Sequence, residues 1–151
     1  MRVLLDTNIV YDLLCARPFD QEGLMQLRVM HAFSDVELWV SAKSYADLFY
    51  LIRKELGSAA AQDLLEETLS WLKVCSVDGE DVAAAFAARW QDFEDCLINR
   101  CAEKTGADYL ITRDANGFKK AGMPVGGASE FMQFVFDTTG VTYDTENLPL
   151  A

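Results

Sequence analysis

The sequence predicts an α/β protein, a three-layer α/β/α sandwich around a mainly parallel central sheet. Two observations predict this fold class. Apolar runs of strand length alternate along the 151 residues with segments of helical length and periodicity. The first run, Val3–Leu5, is apolar at every position, which is typical of a strand buried on both faces. A parallel sheet with helices on both sides accounts for both observations.

The elements follow from local patterns in chain order. After the first strand, a short helix is expected over residues 8–16, because Pro18 follows and disfavours helix before it. The other strands are predicted at 37–40, 73–77, 108–112 and 124–125, and the other helices at about 21–34, 42–56, 58–71, 80–89, 92–105 and 129–136.

Capping residues set the expected helix ends. Asp20, Ser41, Asp92 and Ser129 are predicted to cap the helices that follow them, and Gly106 is predicted to end the long helix of residues 92–105. Asp78 or Gly79 opens the alanine-rich helix. Residues 1–136 therefore form one predicted domain. Residues 137–151 form a C-terminal tail with weak periodicity, expected to be either disordered or docked on another surface.

Composition excludes several classes of protein. The apolar share of 51% indicates a globular chain, and the longest apolar runs are far too short to span a membrane. The N-terminus lacks a signal pattern, so a cytoplasmic location is expected. The net charge of −11 argues against non-specific binding to nucleic acid and favours a basic protein partner. Four cysteines without a C-x-x-C pair, and the single His31, argue against zinc.

Four aspartates lie where the strand–helix pattern can bring them to the carboxyl edge of the sheet. Asp6 ends the first strand, Asp47 and Asp95 lie early in helices, and Asp114 follows the fourth strand. Four charged carboxylates cannot converge without cations, and ligation by oxygen alone indicates Mg²⁺ or Mn²⁺. Such a site suits phosphodiester hydrolysis.

Each acid also has a plainer interpretation. Asp6 could simply end a strand, Asp47 could be a solvated helix position and Asp114 a turn residue. Asp92 and Asp95 together resemble an N-cap with an acid in the first turn. Single acids are weak indicators of function, and the hypothesis of a cation site depends on their joint placement at these segment ends.

Several segments in this order resemble the PIN domain, the ribonuclease fold of VapC-type toxins. The resemblance covers residues 3 to about 134, and its segments are Leu4–Ile9, Val40–Ser41 with Asp47–Leu48, Asp92–Ile98, Gly106–Asp114, Phe118 and Pro124–Val125. Three features depart from the family pattern, and one of them is the tail beyond Phe136, which that pattern does not explain. Asp47 stands where VapC-type toxins usually have glutamate, and Cys96 replaces the usual alanine.

The resemblance implies roles by position. Asp6, Asp95 and Asp114 would bind the metal, and Asp47, one methylene shorter than the usual glutamate, would complete the catalytic set directly or through water. Thr7, Asn8 and Asp92 would support these carboxylates by hydrogen bonds.

Arg113 is the predicted contact to the RNA phosphate. The alternative is that it pairs with a nearby carboxylate, and Arg53, Lys54, Lys119 and Lys120 are expected to be solvated surface residues.

The function implied by the resemblance is a Mg²⁺- or Mn²⁺-dependent endoribonuclease that leaves a 5′-phosphate. The protein would act as the toxin of a toxin–antitoxin pair, with an antitoxin as partner, and would form a homodimer. Two alternatives stay open. One is a non-catalytic PIN scaffold that binds RNA or a protein. The other is a phosphatase of the haloacid dehalogenase type, although Asn8 stands where that chemistry needs a second aspartate.

Overall fold

The first strand is the centre of the sheet. The computed structural model of the chain describes residues 1–146. All strand pairs are parallel, and the strand order is β3-β2-β1-β4-β5. The strands are β1 (Arg2–Leu5), β2 (Glu37–Ser41), β3 (Lys73–Cys75), β4 (Tyr109–Ile111) and β5 (Val125–Gly126).

Within residues 1–146, seven helices cover the two faces of this sheet. They are α1 (Thr7–Cys15), α2 (Gln21–Ala32), α3 (Ala42–Leu56), α4 (Ser58–Thr68), α5 (Gly79–Ala88), α6 (Phe93–Thr105) and α7 (Ala128–Thr139), with a single 3₁₀ turn at Ala115–Phe118. Observed boundaries lie within about three residues of the predicted ones. The predicted three-layer α/β/α fold is confirmed.

The side chains of β1 alternate between two hydrophobic cores. Val3 and Leu5 pack with residues of α1–α4 and α7, while Leu4 packs on the opposite face with residues of α6 and with Phe118. All three strand side chains are completely buried. The strand is therefore buried on both faces, as its uniformly apolar sequence predicted. Successive residues point alternately into the two cores.

Two predicted helix caps are wrong. Asp20 precedes α2, but its backbone is left-handed (φ 47°) and its carboxylate makes no bond to that helix. It accepts a hydrogen bond from the backbone N–H of Ser129 instead, at 2.8 Å. Ser129 is therefore not the cap of the last helix but lies inside it, after Gly127. Because α2 packs against α7, the acid that precedes α2 binds a first-turn N–H of α7.

The other predicted caps are confirmed. The hydroxyl of Ser41 accepts from the N–H of Lys43, and Gly106 ends α6 in the left-handed conformation. Asp78, rather than Gly79, caps α5.

The last described segment packs on the body of the protein. α7 continues past the predicted end at Phe136 and ends before Gly140 (φ 72°). Tyr143 is buried, and its hydroxyl donates a hydrogen bond to Asp35 at 2.9 Å. The predicted tail also includes residues 147–151, which lie outside the described residues.

Among residues 1–146, no helix combines the length and the apolar character that crossing a membrane requires.

Candidate active site

Asp6 is a buried carboxylate held by uncharged donors. It ends β1 and caps α1, and it is 7% exposed. One carboxylate oxygen accepts from the backbone N–H of Thr7 at 2.7 Å. The other accepts from the amide of Asn8 at 3.1 Å and from the hydroxyl of Thr112 at 2.7 Å. Burial raises the pKa of the Asp6 carboxyl despite these bonds, and the charge of Glu94 raises it further.

Thr7 and Asn8 lie where they were predicted, as supports of Asp6. Thr7 does so through its backbone, because its hydroxyl is bonded to Ser44 at 2.8 Å. Thr112 was not predicted from the sequence to support the site. Its hydroxyl donates to Asp6 and accepts from the N–H of Asp114 at 3.1 Å, so it links two of the predicted metal ligands. Its position, as a polar residue directly after the apolar strand β4, could have indicated this role.

Asp95 lies in the first turn of α6 and is surrounded by negative charge. Asp92 caps this helix, and its carboxylate accepts from the N–H groups of Glu94 at 2.8 Å and Asp95 at 3.2 Å. Burial raises the pKa of Asp95 to about 6, together with the charges of Asp92, Asp6, Asp114 and Glu94. Within residues 1–146 its carboxylate accepts no hydrogen bond and forms no ion pair.

The carboxylates of Asp95 and Asp114 both lie close to Gly117. A side-chain β-carbon on Gly117 would collide with the carboxylate of Asp95 and would lie 3.7 Å from a carboxylate oxygen of Asp114. Asp114 itself caps the 3₁₀ turn that contains this glycine, accepting from the N–H of Asn116 at 3.2 Å. Gly117 could not be predicted as a site residue, because nothing in the local sequence distinguishes a glycine needed for close approach from a turn glycine.

A cavity of about 590 Å³ opens beside these two carboxylates. Acidic residues line one part of it, and an indole ring and two lysines line another. The lining includes Asp92, Asp95, Asp114, Trp90, Lys119 and Lys120. The lysines predicted as surface residues are indeed exposed, but they face the same cavity as the acids.

Asp47 does not line that cavity. Its carboxylate forms an ion pair with Lys43, one turn earlier in α3, at 2.7 Å. The same ammonium pairs with Glu94 of α6 at 2.8 Å. Burial alone would lower the pKa of Lys43, but the bonds to these two carboxylates raise it. Lys43 and Glu94 were both missed, because the pairing between α3 and α6 has no signature in the local sequence.

Arg113 is engaged by a second buried acid. Its guanidinium forms a two-pronged ion pair with Asp12 of α1, with Nε 2.6 Å from Oδ2. It also stacks over the ring of Phe19, 4.7 Å from the centroid. Arg113 therefore makes the carboxylate pair that was the alternative to the predicted phosphate contact, and the phosphate contact stays a prediction. Asp12 is a charged residue within the apolar segment of α1, and this position could have indicated that it needs a buried partner.

The donor set suits a hard divalent cation in its chemistry. Asp6, Asp95 and Asp114 offer oxygen ligands only, and no protein cation pairs with any of the three within residues 1–146. The neighbouring negative charges help to raise the pKa of Asp95, and a bound cation would reduce their mutual repulsion. In the described part of the chain, no three acidic, histidine or cysteine side chains already stand close enough to form a ready-made metal site.

The protein is of the α/β class with an acidic site at the edge of a parallel sheet. The central strand is followed by the anchored carboxylate of Asp6, and Asp95 and Asp114 lie near it. The chain belongs to the PIN domain family, whose sequence pattern matches residues 2–116. No curated protein matches the chain significantly in sequence.

Solved structures share this fold. VapBC-1 from nontypeable Haemophilus influenzae aligns with a TM-score of 0.64 at 20% identity, over 85% of this chain and 99% of the other. VapBC2 from Rickettsia felis, bound to a promoter DNA fragment, gives 0.63 at 20% identity, over 83% and 97%. Mycobacterium tuberculosis VapC20, a toxin that cleaves the sarcin–ricin loop, gives 0.61 at 16% identity, over 80% and 95%. At these identities the likeness concerns the fold.

Proposed function

We propose that the protein is a metal-dependent endoribonuclease that hydrolyses RNA phosphodiester bonds with Mg²⁺ or Mn²⁺. The observation that supports it is the approach of Asp95 and Asp114 to the same glycine, beside an Asp6 that only uncharged groups hold. A bound divalent ion supplies polarisation of the phosphate and a lowered pKa of a water molecule. Asp6, Asp95 and Asp114 are the residues that would hold it.

The surrounding residues orient these three carboxylates. Thr112 and Asn8 fix the plane of Asp6 by donating to one of its oxygens. Asp92 fixes the start of α6 and so the position of Asp95. Arg113 holds the loop that precedes Asp114 through its pair with Asp12.

RNA would enter through the cavity beside Asp95. Lys119 and Lys120 line that cavity and supply positive charge for the phosphates next to the scissile bond, the contact predicted from sequence for Arg113. Trp90 offers an aromatic ring on which a base can stack.

The biological role in this proposal is that of a cytoplasmic toxin held by an antitoxin. The support is the fold shared with VapBC complexes from several bacteria. The net charge of −11 suits a basic protein segment as partner. A homodimer is part of the same proposal.

The test is cleavage of structured RNA by the purified protein in Mn²⁺. Asp6→Asn and Asp95→Asn are each expected to lower the cleavage rate at least 100-fold while circular dichroism shows a folded chain. Asp63→Asn, an exposed acid on α4, is the matched control and should cleave at the wild-type rate. Wild-type protein that leaves the RNA intact, or an Asp95→Asn variant that cleaves normally, would contradict the proposal.

The second candidate is a PIN scaffold that binds RNA or a protein without cleaving. The ion pairs of Lys43 with Asp47 and Glu94 favour it, because one ammonium offsets part of the negative charge of two acids of the edge without any metal. Calorimetric titration with Mn²⁺ separates the two candidates, since a scaffold has no need of a cation site. The phosphatase alternative does not survive the family match.

A further inference from the structure

Lys43 joins two helices through two acids. Its ammonium lies 2.7 Å from the carboxylate of Asp47 and 2.8 Å from that of Glu94. The first contact is an ordinary pair between residues four apart in α3. The second crosses from α3 to α6, and the Lys43 side chain is only 29% exposed. The ammonium is therefore held between the helices rather than extended into solvent.

The ion pair between Lys43 and Glu94 lies next to the predicted metal ligands. Glu94 directly precedes Asp95, and its charge raises the pKa of Asp6, so Glu94 lies within electrostatic reach of both predicted ligands. None of the three predicted ligands, Asp6, Asp95 and Asp114, pairs with a protein cation among residues 1–146. The acidic edge thus divides into a part that shares the Lys43 ammonium, Asp47 and Glu94, and an open part, Asp6, Asp95 and Asp114.

We propose that Lys43 is a built-in cation that fills the space between Asp47 and Glu94 and excludes a divalent ion from it. The open part is then the place where a divalent ion binds, and Asp47 serves to hold Lys43 rather than a metal. This inference rests on the proposed function only in assuming that the open part binds such an ion. Lys43 acts here as a positioning residue, through the two carboxylates that its ammonium holds.

The arrangement explains how Asp47 can replace the longer glutamate of the VapC pattern. A metal ligand one methylene shorter would have to approach the ion more closely. An acid that instead accepts from a lysine one turn earlier in the same helix needs no such reach, because the two side chains lie on one helix face.

The test counts Mn²⁺ ions by calorimetric titration of the purified full chain without RNA. Lys43→Met keeps the length of the side chain and removes its charge, so it frees two carboxylates. It is expected to bind one Mn²⁺ more per chain than the wild type. Lys43→Met with Asp47→Asn should lose that additional ion, and Lys43→Arg should bind as the wild type does.

Lys73→Met is the matched control. Lys73 also pairs with a glutamate, Glu37, but at the opposite, amino-terminal side of β2. Its removal should leave the number of bound Mn²⁺ ions unchanged. If Lys43→Met does not fold, Glu94→Gln in the wild-type chain serves instead, and it should also leave the number unchanged.

Equal numbers of Mn²⁺ ions in wild type and Lys43→Met would overturn the inference, as would a loss of Mn²⁺ binding in Glu94→Gln. Failure of the nuclease proposal is distinguished by the RNA assay. A chain that gains an ion in Lys43→Met but never cleaves RNA retains the role of Lys43 and loses the ribonuclease.

Discussion

Two buried carboxylates six residues apart are stabilised in opposite ways. Asp12 is 1% exposed and is paired with the guanidinium of Arg113. Asp6 is 7% exposed and accepts only from uncharged groups, while other acids lie near it. A buried charge with a fixed counter-ion belongs to the structure, whereas one without a counter-ion leaves its charge available to a ligand. The comparison separates an acid of the architecture from the acid that we propose as a metal ligand.

Removing the guanidinium from Asp12 should have the largest effect on stability. Arg113→Ala leaves a buried, unpaired carboxylate, which typically costs about 3–5 kcal/mol of unfolding free energy. Urea unfolding at pH 7 measures it. Lys73→Ala breaks an exposed pair and should cost no more than about 1 kcal/mol. Similar losses in the two variants would show that the Asp12 pair is not structural.

Removing a donor from Asp6 should cost less. Thr112→Val keeps the shape of the side chain but deletes the hydroxyl that bonds a charged group, an expected loss of about 2 kcal/mol. The pKa of Asp6 should rise further, because this hydrogen bond lowers it. Thr112→Ser keeps the hydroxyl and should retain most of the stability. Carbon-detected NMR titration of the Asp6 carboxyl follows the pKa, and an unchanged value would contradict this account.

Crowding Asp95 should act mainly on cation binding. Gly117→Ala places a methyl group against the Asp95 carboxylate, which must turn away, at a cost of about 1 kcal/mol. Mn²⁺ affinity should fall at least 10-fold. Gly122→Ala is the control, because nothing lies within 4 Å of the β-carbon there. Equal Mn²⁺ affinities in the two variants would argue against a cation at Asp95.

The smallest effect concerns pH. The pKa of Asp95 is raised to about 6, so its protonated form favours folding. This contribution is fully present below 3.8, the usual pKa of an aspartate carboxyl, and is lost as pH rises through about 6. Because solvent screens a partly exposed group, Asp95→Asn should raise stability at pH 7.5 by less than about 1 kcal/mol, with no gain at pH 3.5. A gain at both values would point to another cause.

Sequence patterns predict the parts of this molecule that depend on local chemistry. The apolar run of β1, the caps Ser41 and Asp92, and the placement of Asp6, Asp95 and Asp114 at segment ends all follow from neighbouring residues. These patterns also agree with the family to which the chain belongs.

Contacts between distant segments could not be predicted in this way. Arg113 meets Asp12 across 101 positions, and Asp20 caps a helix 109 positions away. Lys43 could equally have been a solvated lysine, since only the packing of α3 near α6 brings Glu94 to it. In each case the local pattern allowed two outcomes, and the tertiary fold selected one.

The hydrogen bond between Thr112 and Asp6 spans 106 positions, so it closes only when most of the chain is available. During synthesis the first strand emerges early, but β4, which pairs with it and carries Thr112 at its end, follows much later. A chain interrupted before residue 109 holds Asp6 without β4, one of the two strands that pair with β1, and without Thr112 and Asp114. The acidic edge is therefore completed late, and a truncated product cannot assemble it.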